Sequence, residues 1–278
     1  MEHGFLLYGG SSSPSPVVIS VPHAGRDHPS EMLAALRAPR SALQTLEDRL
    51  VDAVAVAARR DEVMLVQRRA RAWIDLNRAE DERDPRVDAG AGPVAEPSPK
   101  LRSGLGLVPR RAAGTGELWR GRFSGAAIEA RIAADHRPYH AALAAALAAQ
   151  RARHGTAVLL DLHSMPPLGP RRARIVIGDR FGTSAAARFT RRVQAEAEAL
   201  GLSCELNAPY AGGHIVERHG RPAGNVHALQ LELDRSLYLN ARGEAAGAGF
   251  DKAVALVRRV LAALADEASA TALPHAAE

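Results

Sequence analysis

The sequence predicts an α/β fold with a largely parallel or mixed sheet. Three observations predict it. Short runs rich in Val, Ile and Leu, at 17–21, 157–160 and 226–233, read as buried strands. Longer stretches between them repeat apolar residues at helical spacing. The two kinds of segment alternate along 278 residues, enough for one large domain or two small ones.

The first clear strand, 17–22, breaks at Pro22 and hands His23 to a Pro-His-Ala-Gly turn. Leu43, Leu46, Leu50, Val54 and Ala57 recur at helical spacing, which predicts a helix over 41–60 capped by Ser41. Strands are expected at 63–67 and 72–76. From Glu80 to Gly116 the chain is rich in Pro, Gly, Asp and Arg and lacks a period. It reads as a long loop region of the functional or mobile kind, part of a loop-rich insertion at 80–123. A helix over 124–153 follows, with a kink or break at Pro138. The stretch 156–162 is a strand, 174–178 another, and 184–200 a helix closed by Gly201. A short strand at 203–207, a strand at 226–233 and a helix over 246–265 complete the series. The tail after Ala268 is expected to fray.

Composition narrows the function. Aromatic residues are only 4% of the chain, so the core is built from Ala, Val, Leu and Ile. The 36 basic residues exceed the 31 acidic ones by five, but the arginines are spread out. No Lys/Arg block is interleaved with aromatics, so a nucleic-acid partner is not expected. Cys204 is alone, which excludes a disulfide within the chain and fits a reducing compartment. It lacks the local signature of a nucleophile and is expected to be a buried thiol. The segment 1–16 has neither a basic n-region nor a long apolar h-region. No run reaches the roughly 18 apolar residues that span a bilayer. The expected location is the cytoplasm, with no membrane partner.

The chemistry gathers at the ends of strands, where open α/β sheets bind their ligands. His23 follows one strand, and His163 ends Asp161-Leu162-His163-Ser164 after another. Asp161 shares a face with His163, so it can orient the imidazole or bond nearby backbone. In Gln230-Leu231-Glu232-Leu233, alternation puts Gln230, Glu232 and Asp234 on one face. That face is either a solvated edge or the lining of a pocket. Two histidines and a carboxylate at strand ends suggest metal-assisted hydrolysis, with a third ligand from elsewhere. Asp48, flanked by Leu46 and Leu50, borders the core or faces solvent; spacing alone allows both. Arg78, after Asn77, and Arg137, before Pro138, Tyr139 and His140, are candidates to hold an anion. Gly212-Gly213-His214 is a flexible turn that places a histidine.

Taken in order, these motifs carry a family. Val21-Pro22-His23-Ala24-Gly25, Asp75-Leu76-Asn77-Arg78, Arg137-Pro138-Tyr139-His140, Asp161-Leu162-His163-Ser164, Gly212-Gly213-His214-Ile215 and Gln230-Leu231-Glu232-Leu233 form the series. It resembles the N-formylglutamate amidohydrolase family from about residue 17 to about residue 240. The resemblance implies one three-layer domain over 1–278, a mixed sheet between helices like that of the zinc carboxypeptidases. It implies zinc held by His23, His163 and Asp48, the last matching the second acid of the family's Asp-Trp-x-x-Asp segment. Gln44-Thr45 stand here in place of that segment's Asp-Trp pair. It further implies Glu232 as general base, and Asn77, Arg78, Arg137, His140 and His214 as residues facing substrate.

The expected activity is hydrolysis of the amide of an N-formyl or other N-acyl amino acid bearing a free carboxylate. The expected partner is that small molecule, bound by a monomer or homodimer. Two other readings use the same fold. One is a carboxypeptidase-like peptidase or an amidase of cell-wall fragments. The other is a binding protein without catalysis, which predicts no stoichiometric zinc.

Overall fold

The structure is a computed structural model that describes residues 4–169 and 172–270. Most of the tail expected to fray, residues 271–278, lies outside the described residues. Among the described residues the strands are β1 (Phe5–Tyr8), β2 (Val17–Val21), β3 (Val63–Gln67), β4 (Arg111–Ala112), β5 (Gly116–Glu117), β6 (Ala157–Met165), β7 (Ile175–Gly178), β8 (Cys204–Leu206) and β9 (Val226–Asp234). The α-helices are α1 (Ser30–Ala35), α2 (Val51–Ala58), α3 (Pro99–Arg102), α4 (Gly125–Arg131), α5 (Arg137–His154), α6 (Ala187–Glu198), α7 (His214–His219) and α8 (Phe250–Ala270).

Seven strands form a mixed sheet flanked by helices, in the order β1-β3-β2-β6-β9-β7-β8, and β4 pairs with β5 alone. β2, β6 and β9 run parallel, β7 runs antiparallel to β9, and β8 is parallel to β7. The fold class read from the sequence is therefore the one observed. The chain forms two compact units. Of the described residues, one holds 4–6, 22–48 and 66–141; the other holds 7–21, 49–65, 142–169 and 172–270.

In the second unit β2 and β6 are buried along their whole length, which explains the apolar runs at 17–19 and 157–160. α8 packs on β2, β6, α2 and α6. Its buried Val254, Val257, Leu261 and Leu264 recur every three or four residues. Each such side chain contributes about 1.5–3 kcal/mol on full burial. β9 lies between β6 and β7, so its polar face is not a sheet edge; Gln230, Glu232 and Asp234 are all buried.

The first unit carries little regular structure. The loop region 80–123 falls within it and holds only α3 and the β4–β5 pair. The stretch 72–76 is not the expected strand. It is a series of buried turns, because Trp73 N donates to Ala70 O (2.8 Å) and Arg78 N to Asp75 O (3.2 Å). Asp75 Oδ1 also accepts the Asn77 amide at 2.9 Å, a local bond that competes with strand pairing.

The helix expected over 41–60 is broken. A 3-10 helix spans Arg40–Leu46, and α2 starts only at Val51. Between them Asp48 N donates to His23 O at 2.9 Å instead of continuing a helix. Leu50 takes a left-handed conformation (φ 59°), strained for a residue with a branched side chain. The helix expected over 124–153 does form, with Ser124 as its cap. It carries a wide π-helical turn at Ile132–His136, just before Pro138, rather than a break at the proline.

Candidate active site

His23, Asp48, Asn77, Arg78, Arg137 and His140 lie in the first unit. Asp75, fully buried, links His23, Asn77 and Arg78 among them. The His23 Nε2–H donates to Asp75 Oδ1 at 2.7 Å, and Arg71 Nε donates to Asp75 Oδ2 at 2.9 Å. Arg78 Nη2 stands 3.8 Å from the same Oδ2. Burial alone would raise the Asp75 pKa. Arg71, Arg78 and His23 outweigh it and hold the carboxyl well below the usual carboxylate range.

An ionised Asp75 fixes the His23 tautomer with its proton on Nε2. Nδ1 is then the nitrogen that can meet a metal, and it faces Asp48 Oδ2 at 3.7 Å. Two ligands on a tetrahedral zinc, each about 2.0–2.1 Å from the ion, are about 3.3 Å apart. A buried histidine with a carboxylate behind it and another before it is the donor chemistry zinc takes. His23 and Asp48 therefore fit the ion.

Arg78 is buried, and burial pushes its guanidinium pKa down while Asp75 opposes the shift. Its Nε donates to Leu105 O at 2.7 Å, which fixes the guanidinium plane. Asn77 is buried beside it. His140 is buried, and its Nε2 donates to Leu76 O at 2.9 Å. Arg137 differs. Its side chain is 51% exposed, and it pairs with Glu80 (2.8 Å) and Glu129 (2.9 Å).

His163, His214 and Glu232 lie in the second unit. The β6–β9 register pairs Asp161 with Gln230 and His163 with Glu232, so these four side chains share one face of the sheet. His163 Nε2–H donates to Asp161 Oδ2 at 2.8 Å, which leaves the lone pair on Nδ1. Ser20 Oγ donates to Asp161 Oδ1 at 2.7 Å, which locks the carboxylate. Gln230 Nε2 donates to Glu232 Oε1 at 2.9 Å, and Gln230 Oε1 accepts Gly213 N at 2.9 Å. α7, which begins at His214, is thereby anchored to the polar face of β9, and it packs on both β6 and β9.

Gly212 is required here. Its φ is 106°, and the loop crosses so close to Gly178 that a Cβ on Gly178 would lie 2.6 Å from the Gly212 nitrogen. Cys204 is half-buried, with its thiol pKa pushed up to about 12 by burial and then by Glu198 and Glu205. It is no nucleophile at neutral pH.

Asp75, Ser20 and Arg71 belong to these networks but were not singled out in the sequence. The signal for Asp75 was present: an acid at the head of Asp-Leu-Asn-Arg in an otherwise apolar run. Nothing local marks Ser20, whose partner comes from β6; Arg71 lies four residues before Asp75, a spacing that shows only once Asp75 is recognised.

A mixed α/β sheet with buried histidine–aspartate pairs and a glutamate near the ends of parallel strands is an arrangement suited to hydrolysis. A sequence profile of the N-formylglutamate amidohydrolase family matches residues 15–239. The chain belongs to that family, and it is an amide hydrolase. It is 30% identical over 230 residues to the N-formylglutamate deformylase of Pseudomonas putida, covering 81% of this chain and 82% of the relative. The crystal structure of N-formylglutamate amidohydrolase from Ralstonia eutropha JMP134 is similar, with a TM-score of 0.84, 30% identity, and coverage of 97% of this chain and 98% of that one. A gene product of Agrobacterium tumefaciens shares the fold at a TM-score of 0.63 and 18% identity, with 95% of each chain covered. No helix among the described residues is long and apolar enough to cross a membrane.

Proposed function

We propose that this chain is a zinc-dependent amidohydrolase that cleaves N-formylglutamate or a close N-acyl amino acid. His23, Asp48 and His163 are its zinc ligands. The observation that carries the reading is the twofold histidine–aspartate construction. His23 and His163 each give Nε2–H to a buried aspartate at 2.7 and 2.8 Å, so both keep Nδ1 for a metal. His23 follows Val21 and Pro22 at the end of β2, and His163 lies near the end of β6.

Zinc held there would polarise the acyl carbonyl and lower the pKa of a water towards roughly 7. Glu232 takes the proton of the attacking water and returns it to the leaving amine. Gln230 orients the Glu232 carboxylate through Oε1. The amide C–N bond breaks, giving a carboxylate and a free amino acid. Arg78 and Asn77 orient the substrate carboxylate, with His140 and His214 on the polar part of the substrate. Arg137 is the outermost contact, exchanging Glu80 for substrate. The relatives' name supplies N-formylglutamate, and the solitary Cys204 supports a cytoplasmic setting. The monomer or homodimer expected above is retained.

The test is elemental analysis of the purified protein together with formate release from N-formylglutamate. One zinc per chain and chelator-sensitive turnover are expected. A protein with no bound zinc that hydrolyses neither N-formyl nor N-acetyl amino acids would end the proposal.

A further inference from the structure

The turn at 73–78 carries Asn77 and Arg78, and one helical segment of the same unit grips it at four points. Arg131 Nη1 donates to Trp73 O at 3.2 Å. The Trp73 indole Nε1–H donates to Asp135 Oδ2 at 2.8 Å. His136 Nε2–H donates to Arg78 O at 2.8 Å, and His140 Nε2–H to Leu76 O at 2.9 Å. The first two bonds hold the start of the turn, and the other two hold its end.

An unbroken α-helix would not bring these residues together. At about 100° per residue, His136 and His140 would lie about 140° and 180° around the axis from Arg131. The π-helical turn at Ile132–His136 admits one extra residue. It turns the residues that follow back by about 100°, so His136 and His140 come to about 40° and 80° from Arg131. Asp135, four residues after Arg131, is already on that side.

Arg131 is the unusual member. It is 3% exposed, and its Nε–H has no hydrogen-bond partner among the described residues. Its guanidinium carbon lies 3.8 Å from the centre of the Trp73 ring and 4.0 Å from that of Phe123. Burial lowers its pKa to about 10, with Glu31, Asp135 and Asp88 opposing, so it is a cation at neutral pH. A buried cation costs more than an apolar side chain of similar size. What the guanidinium adds is position. It stacks on the indole and bonds the carbonyl of the same tryptophan, which fixes Trp73 in two directions.

We propose that Arg131, Trp73 and Asp135 are positioning residues for recognition of the substrate carboxylate, acting through the turn that carries Asn77 and Arg78. This rests on the reading of Arg78 as the carboxylate's partner. The N–H groups left to Arg78 meet a carboxylate squarely only while its guanidinium plane is set. That plane hangs from a backbone held by the helical segment at Trp73, Leu76 and Arg78. A shift of about 1 Å far from the chemistry can cost about a hundredfold.

The experiment is steady-state kinetics of the full chain, zinc-loaded, on N-formylglutamate. Trp73→Phe keeps a ring beneath Arg131 and removes the indole N–H. Arg131→Met removes the charge and the bond to Trp73 O. Each should raise KM at least about tenfold while changing kcat less than about threefold. In an Arg78→Lys background neither should raise KM by more than about a further twofold, because the group they position is gone. A merely structural role would add its full effect in both backgrounds. Trp73→Phe carries the test if Arg131→Met does not fold. Unchanged KM in Trp73→Phe, or a full further rise on top of Arg78→Lys, overturns the proposal and leaves Arg78 as the carboxylate's partner. If Arg78→Lys alone leaves KM unchanged, the reading of Arg78 fails and this proposal falls with it.

Discussion

Asp75 Oδ1 accepts the Nε2 proton of His23 at 2.7 Å, while its other oxygen holds Arg71. One buried carboxylate thus sets the histidine tautomer and balances buried positive charge. This links the fold's stability to the His23 tautomer that the proposed zinc site requires.

Asp75→Asn should therefore act on both properties. It leaves Arg71 and Arg78 short of a buried counter-ion, a change that costs about 3–5 kcal/mol where a buried pair is broken. It also lets the His23 ring turn or change tautomer, which should lower metal affinity by about 10–100-fold. Urea denaturation and chelator competition measure the two effects. A variant as stable as wild type that keeps full metal affinity would show that Asp75 organises nothing.

His23→Ala and His163→Ala should each lose the zinc assigned to them, read by elemental analysis after dialysis. Ser20→Ala removes the bond that locks Asp161 and is expected to weaken metal binding less than either. Full occupancy in both alanine variants would overturn the ligand set.

Glu232→Gln should keep zinc and lose at least about a hundredfold in kcat, the usual cost of removing a general base. Gln230→Ala frees Glu232 Oε1 and should lower kcat by a smaller factor without changing metal content. Near-normal turnover of the glutamine variant would remove Glu232 from the chemistry.

Much of this site was legible because strands announce themselves. The apolar run before Asp161 and the polar alternation around Glu232 fix both residues on strands without any tertiary knowledge. His23 was legible for the same reason, at a Pro-terminated strand. Asp48 was harder. The leucine spacing across 43–50 suggests one continuous helix, whereas a bond from the Asp48 amide to His23 O interrupts it. That bond joins residues 25 positions apart, so no local pattern encodes it. Ala72–Leu76 misled in the opposite way. Its apolar side chains are buried as a strand's would be, but Asp75 turns the backbone to bond Asn77. Burial was readable from composition, and conformation was not.

Acid should weaken the fold through His227. It is buried on β9, stacks on Phe189 with centroids 4.4 Å apart, and its Nδ1 accepts the Ala186 amide at 3.2 Å. Burial, then Arg188, lowers its pKa to about 4. The folded state therefore stays neutral while the unfolded histidine, with a pKa of about 6.5, takes up a proton. Its contribution is fully present above about pH 6.5 and falls as pH drops towards 4, by at most about 1.4 kcal/mol per unit. His227→Asn keeps an acceptor and removes the titration. Denaturation midpoints at pH 7.5 and pH 5 should fall more steeply for wild type than for the variant, and equal slopes would refute the assignment.

The last prediction concerns substrate charge. Arg78 is buried, with its Nε fixed on Leu105 O and its Nη1 donating to Asn77 O, so a substrate carboxylate would be met by the remaining N–H groups of a fixed planar guanidinium. Lysine offers a point charge without that plane. Arg78→Lys should therefore raise KM for N-formyl amino acids at least about tenfold while leaving hydrolysis of the corresponding amides, which lack the carboxylate, little changed. Arg137→Lys should do less. Its guanidinium is half-exposed and bound to Glu80 and Glu129, and exposed pairs of that kind are worth about 0–1 kcal/mol. KM values for matched acids and amides on both variants decide the matter. If wild type hydrolyses amides as well as acids and Arg78→Lys changes neither, no carboxylate is recognised at Arg78.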